Sequence, residues 1–270
     1  MTEAVVVAVA HQQGGVGKST CVICSARAAR RYHGARVLVV DMDPQGNVTS
    51  TLAREPLTSG EVTLADALVP DSDVELSEVI VPTLWEGVDL APGGDRLSVA
   101  DRHIAAAAHG REHRLREVIA PVRGDYDLVL VDTPPSLLGQ LLINALTASD
   151  SAVLVTEPHR WSSDGMGLLG KTIAGVRTYH NPQLQIVGTI VSKWRNTRSG
   201  RRNVEEMTEG MARHFPGVPV WSDLRVPLWV GISEDVDDGI ALDESRDARN
   251  RVLAEDVFQP IAAYMLKAAA

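Results

Sequence analysis

Ala10-His11-Gln12-Gln13-Gly14-Gly15-Val16-Gly17-Lys18-Ser19-Thr20 lies between the apolar run Val5-Val6-Val7-Ala8-Val9 and a segment, residues 20–32, in which Val22, Ala26 and Ala29 recur at helical spacing. The pattern predicts a strand, a glycine-rich turn and a helix. Such a turn aims backbone N–H groups at an anion, and the helix N-terminus adds its partial positive charge. Lys18 supplies a full charge suited to β- and γ-phosphates, and the Ser19 hydroxyl is a ligand for magnesium. The spacing departs from the ordinary P-loop, which has glycine five residues before Gly17, where this chain has Gln12. Two adjacent glycines precede Val16-Gly17-Lys18-Ser19 instead. Taken alone, a glycine turn that binds nothing is the plain alternative, so the rest of the chain has to decide.

Working outward, Arg36-Val37-Leu38-Val39-Val40-Asp41 is a second apolar run after a helix and a glycine turn, which makes a βαβ unit and implies a parallel sheet. Ligand groups then sit at the carboxyl ends of the strands, which places Asp41-Met42-Asp43-Pro44-Gln45-Gly46-Asn47 beside the glycine loop. Tyr126-Asp127-Leu128-Val129-Leu130-Val131-Asp132 is a further apolar strand ending in aspartate, followed by Thr133-Pro134-Pro135-Ser136. Residues 151–157 and 185–192 read as two more strands with a helix at 163–179 between them. The recurring order of strand, loop and helix, with no Pro/Gly/Ser linker, predicts an α/β fold. Its sheet is doubly wound and mostly parallel, flanked by helices, in one domain spanning residues 1–270.

Composition narrows the class. With 44% hydrophobic residues, 270 residues can bury a substantial core. No run approaches the roughly eighteen apolar residues of a membrane span, and the N-terminus lacks a charged secretory region, so a cytoplasmic protein is expected. The net charge of −9 argues against wholesale wrapping of nucleic acid but leaves room for a local basic site. Cys21 and Cys24 lack the further ligands of a zinc site and read as small packing residues. Residues 62–69 read as a short helix, and 79–81 and 88–93 as strands ending in a turn. His103, His109 and His113 are spaced to put two on one helix face, but without carboxylate or cysteine companions they read as a solvated face. Lys193-Trp194-Arg195-Asn196-Thr197-Arg198-Ser199-Gly200-Arg201-Arg202 carries five cations and no anion, either a solubilising loop or a phosphate-binding surface.

Together these stretches resemble the ParA/MinD superfamily of ATPases, tightly at residues 5–50 and 126–146 and loosely elsewhere. The loop is similar to the deviant Walker A box Lys-Gly-Gly-x-Gly-Lys-Thr/Ser-Thr, with Gln13 where the family has its signature lysine. Residues 41–47 resemble switch I, the strand ending at Asp132 resembles Walker B, and Thr133-Pro134-Pro135-Ser136 resembles switch II. The resemblance implies ATP and Mg2+ as cofactors. It places Gln13, Gly14, Gly15, Val16, Gly17, Lys18, Ser19 and Thr20 at the nucleotide and Ser19, Asp41 and Asp132 in the magnesium shell, with Asp43 as the carboxylate that positions the attacking water. Closest are ParA/Soj-type partition ATPases, which implies an ATP-bound sandwich homodimer on nonspecific DNA, at the nucleoid, with hydrolysis that is slow until a ParB-like centromere-binding partner stimulates it.

ParA-like proteins hold DNA backbone with scattered arginines, which points to Arg198 and Arg225 with Arg195, Arg201 and Arg202 as neighbours. No helix-turn-helix extension precedes the first strand, so operator-specific repression is not expected. MinD proteins end in a basic amphipathic helix that inserts at membranes; residues 257–267 lack those cations and are expected to pack against the body, with no membrane partner. Gln13 brings no charge, so either dimerisation and hydrolysis are weaker or another cation substitutes. Arg160, just beyond the strand at 151–157, is the candidate, and Lys171 a weaker one. Two other readings stay open: positioning of a protein cargo, as in carboxysome distribution, and a metabolic or metal-delivery ATPase, whose later cysteine pair is absent.

Overall fold

In the computed structural model the described residues are 3–11, 14–58, 60–136, 139–160 and 163–268, without the side chains of residues 160, 163 and 164. The chain opens with β1 (Val5–Ala10), α1 (Lys18–His33), β2 (Val37–Asp41) and α2 (Asn47–Leu52). Then come α3 (Leu64–Leu68), α4 (Leu76–Val79), β3 (Val81–Pro82), β4 (Val88–Ala91), α5 (Leu97–Ala106) and α6 (Arg114–Ile119). The second half runs β5 (Leu128–Asp132), α7 (Gln140–Ala148), β6 (Ser151–Thr156), α8 (Ser163–Tyr179), β7 (Gln185–Trp194), α9 (Arg198–His214) and β8 (Val220–Pro227). It closes with α10 (Val230–Asp237), α11 (Ala248–Leu253) and α12 (Gln259–Leu266).

Among the described residues the strands form one sheet in the order β3-β4-β2-β5-β1-β6-β7-β8, parallel throughout except for β3 against β4. The expected doubly wound α/β fold is what forms. Every residue of β2, β5 and β6 is buried, as a parallel sheet covered on both faces requires, and their sequences are accordingly near-continuous Val, Leu and Ala. Side chains alternate between the two faces. Val7 and Val9 of β1 point into a core shared with α1 and α12, whereas Val6 and Ala8 point to the layer built from α5 to α8. The chain leaves β1 toward β2 on one side and returns at β6 on the other, so a crevice opens at the carboxyl end of β1.

Two local expectations change. Residues 79–81 are not a strand: α4 ends at Val79 and β3 begins at Val81. Glu75 and Glu78 form a reciprocal cap, the Glu75 N–H donating to Glu78 Oε2 at 2.9 Å, and this capping outweighs the β-branched composition. The three histidines do not share a helix, because α5 stops at Ala106 and Gly110 turns with φ 67° before α6. His113 instead meets His180 edge-on at 5.6 Å, and no group of metal-ligating side chains forms among the described residues. The helix at 62–69 is present as α3. In α12, Ile261, Ala262 and Met265 are buried against α1, the packing expected of the C-terminal segment. No described helix is long and apolar enough to cross a membrane.

Candidate nucleotide site

Gly17 caps the start of α1 in the left-handed region at φ 83°, which only glycine adopts without strain. A Cβ there would also stand 2.8 Å from Ser192 Oγ on β7, so a larger residue would have to displace the Ser192 hydroxyl. The next residue, Lys18, is buried, and its ammonium donates to Asp132 Oδ1 at the end of β5. Ser19 Oγ donates to the other oxygen of the same carboxylate at 2.9 Å. Lys18 Nζ lies 3.9 Å from Asp43 Oδ2, and Asp43 Oδ1 accepts from the Gln45 N–H at 2.9 Å. Residues more than a hundred positions apart thus form one cluster at the strand ends.

Asp41 sits opposite Asp132 in the register of β2 and β5. Its Oδ2 accepts from Thr49 N at 2.8 Å and Thr49 Oγ1 at 2.7 Å, and its Oδ1 from Asp43 N at 3.1 Å. Asp41 therefore holds the 43–49 turn in place. Burial and, next, the charge of Asp132 push its carboxyl up to about 7 despite those bonds. Burial likewise raises Asp132, against the pull of Lys18 and Ser19. Cys21 and Cys24 are buried on α1, and burial pushes the Cys21 thiol up to about 12, which suits inert packing residues.

A cavity of about 430 Å3 opens above this cluster. One wall is residues 14–20 with Asp43, Gln45, Asn47 and Pro135; the other is Lys193 with Pro227, Leu228, Trp229 and Ile232. The second wall was not read from the sequence. Its one signal is a Val-Pro-Leu-Trp string at the end of the last strand, which nothing local ties to the glycine loop. Trp229 is held by the Arg249 guanidinium, 5.1 Å from its ring centre, and that arginine is paired with Asp247 at 2.6 Å.

With this geometry in view, a family profile described as an AAA domain matches residues 4–186. Sporulation initiation inhibitor protein Soj of Bacillus subtilis is 37% identical over 203 residues, covering 75% of this chain and 78% of its own. The chromosome partitioning protein ParA of Caulobacter vibrioides is 35% identical over 233 residues, or 85% and 82% of the two chains. This chain belongs to the ParA/MinD superfamily of ATPases. Cobyrinic acid a,c-diamide synthase from Mycobacterium smegmatis, solved with ADP and magnesium, is 29% identical with a TM-score of 0.76 over 98% of this chain and 94% of that one. An ATP complex of Cyanothece McdA shares the fold, with a TM-score of 0.84 at 18% identity over 98% and 97% of the two chains.

Set in the ParA/MinD fold, the expected residues divide as follows. Gly14 to Thr20 and Asp43 line one cavity, with Asp132 buried beneath it on Lys18 and Ser19 and Asp41 buried on Thr49, whereas Gln13 and the Arg160 side chain lie outside the described residues. Lys171 is exposed on α8. The basic run is not a loop: β7 continues to Trp194 and α9 begins at Arg198, so Arg198, Arg201 and Arg202 are exposed on its first turns beside exposed Arg195. Arg201 donates to Asn196 Oδ1 at 2.8 Å, and Arg202 lies 3.3 Å from Glu206. Arg225 joins them from β8, its guanidinium 5.0 Å from the Trp194 ring centre and its buried Nε without a protein acceptor. Lys193 leaves the run and turns toward the glycine loop.

Proposed function

We propose that this chain is a DNA-partition ATPase: its ATP-bound homodimer binds nonspecific DNA, and hydrolysis stimulated by a ParB-like partner releases it. The observation that carries the ATP site is the Lys18–Asp132–Ser19 cluster at the floor of a cavity large enough for a nucleotide, with Asp43 beside it. The phosphates would lie along the loop N–H groups and the start of α1, and the base against Pro227, Leu228 and Trp229 on the far wall. The donors nearby are carboxylates and a hydroxyl, hard oxygen ligands that suit Mg2+. Ser19 and Asp132 would hold the ion, and Asp41, which clamps Thr49, would support it from the neighbouring strand. Magnesium would supply neutralisation of the charge that develops on the phosphates. Lys18 adds charge at the phosphates, and Asp43, with one oxygen fixed by Gln45, orients the attacking water.

The DNA reading rests on Arg195, Arg198, Arg201, Arg202 and Arg225, which share one end of β7, β8 and α9. Relationship to Soj and to Caulobacter ParA supports the partition role and the ParB-like partner. The test is ATP-dependent binding to two unrelated duplexes over a salt series. Both should bind alike and weaken steeply with salt, and Arg198→Ala with Arg225→Ala should lower affinity on both and reduce the salt slope by about 1 for each phosphate no longer neutralised. Full affinity in that double variant removes the proposed surface.

A further inference from the structure

We infer that Lys193 is a second cation for the bound triphosphate, delivered within the same subunit and standing in for the charge that Gln13 does not bring. The inference rests on the ATP-site reading above. Lys193 is 178 residues from Gly15 in sequence, yet its Nζ donates to the Gly15 carbonyl oxygen. A bulge makes this possible. The pairing of β7 with β8 shifts twice: between Ile190 and Val191 one step along β7 spans four along β8, from Trp221 to Arg225, and between Val191 and Trp194 three steps are matched by two, from Arg225 to Pro227, which leaves one residue of β7 extra in that interval. Lys193 absorbs it with φ 52°, a left-handed conformation that L-residues avoid and that re-aims the side chain from the arginine surface to the glycine loop. Its Cε would lie 3.7 Å from a Cβ at Gly17, so the stem runs along the loop itself.

The balance of charge favours the same conclusion. The described cations lining the cavity are Lys18 and Lys193, against the carboxylates Asp43 and Asp237. Lys18 is already matched by buried Asp132, whereas Lys193 has a neutral carbonyl as its partner. Among the described residues a triphosphate entering this cavity therefore meets one cation not committed to a carboxylate, and it can take over the Lys193 donor from Gly15. Strain at φ 52° is retained at a functional position in the way such strain commonly is.

The experiment is calorimetric titration of the full chain with ATP and with ADP at two salt concentrations, in wild type, Lys193→Gln, Lys193→Arg and Lys193→Gly. Loss of a charge-assisted hydrogen bond predicts ATP affinity about 10- to 100-fold weaker in Lys193→Gln, with ADP affected less, and Lys193→Arg close to wild type. Lys193→Gly fits the left-handed backbone without strain, so it should melt no lower than wild type while losing ATP affinity as Lys193→Gln does. Adding Gln13→Lys to Lys193→Gln should recover part of the loss. Wild-type ATP affinity in Lys193→Gln, or its recovery in Lys193→Gly, overturns the inference while leaving the ATP site intact if Lys18→Ala still fails to bind. Absence of ATP binding in wild type itself overturns both.

Discussion

Asp41 makes the stability of the nucleotide-free protein depend on pH in an unusual direction. Its carboxyl lies at about 7 in the fold against a reference of 3.8, because it is fully buried and faces Asp132 across two adjacent strands. A carboxyl whose folded pKa exceeds the unfolded one holds its proton more tightly when folded. The stability it contributes is fully present below about 4, is lost as pH rises toward about 7, and is level beyond that. At about 1.36 kcal/mol per pH unit, the interval from 3.8 to about 7 corresponds to a loss on the order of 4 kcal/mol that belongs to the Asp41–Asp132 pair as a whole, a large share of a typical domain's stability. The perturbation is Asp41→Asn, which removes the titration but keeps an oxygen able to accept from Thr49. Its amide must face the Asp43 N–H, which costs about 1–3 kcal/mol independently of pH. The assay is urea unfolding of wild type and Asp41→Asn in chelator at constant ionic strength from pH 4 to 8. The variant should be the less stable at pH 4 and gain on wild type by on the order of 4 kcal/mol by pH 8. Part of that gain appears through easier ionisation of Asp132, since the two carboxylates repel. A difference between the two proteins that stays constant across this range refutes the reasoning.

Gly17→Ala meets the left-handed backbone and a Cβ 2.8 Å from Ser192 Oγ, so it should lower stability by about 1–3 kcal/mol and abolish tight ATP binding; adding Ser192→Gly should recover the steric part, read by thermal melting. Lys18→Ala should lose ATP binding and, by leaving Asp132 buried without its cation, also cost about 3–5 kcal/mol at pH 8, less at pH 5 where Asp132 takes up a proton more readily. Asp43→Ala should keep ATP binding in an equilibrium titration and lose hydrolysis in a phosphate-release assay; unchanged turnover removes its assigned role.

What the sequence determined by itself is what depends on neighbours along the chain. The apolar runs before Gly14, through Asp41 and through Asp132 declare buried parallel strands, because a strand covered on both faces has no polar alternation. Strand ends in such a sheet gather at one edge, and the resemblance of these stretches to the ParA/MinD motifs then assigned Lys18, Asp43 and Asp132 to one site before any contact was known. Tertiary structure decided what depends on register and on strand order. Thr49 as the partner of Asp41, Pro227 to Trp229 as the far wall, and Lys193 on the glycine loop rather than among the arginines all arise between segments with no local sign of one another. The last of these turns on the register shifts between β7 and β8 on either side of Val191. A side-chain period of two means that one inserted residue reverses which way the following side chain faces, and only the pairing of β7 with β8 reveals where that residue is taken up.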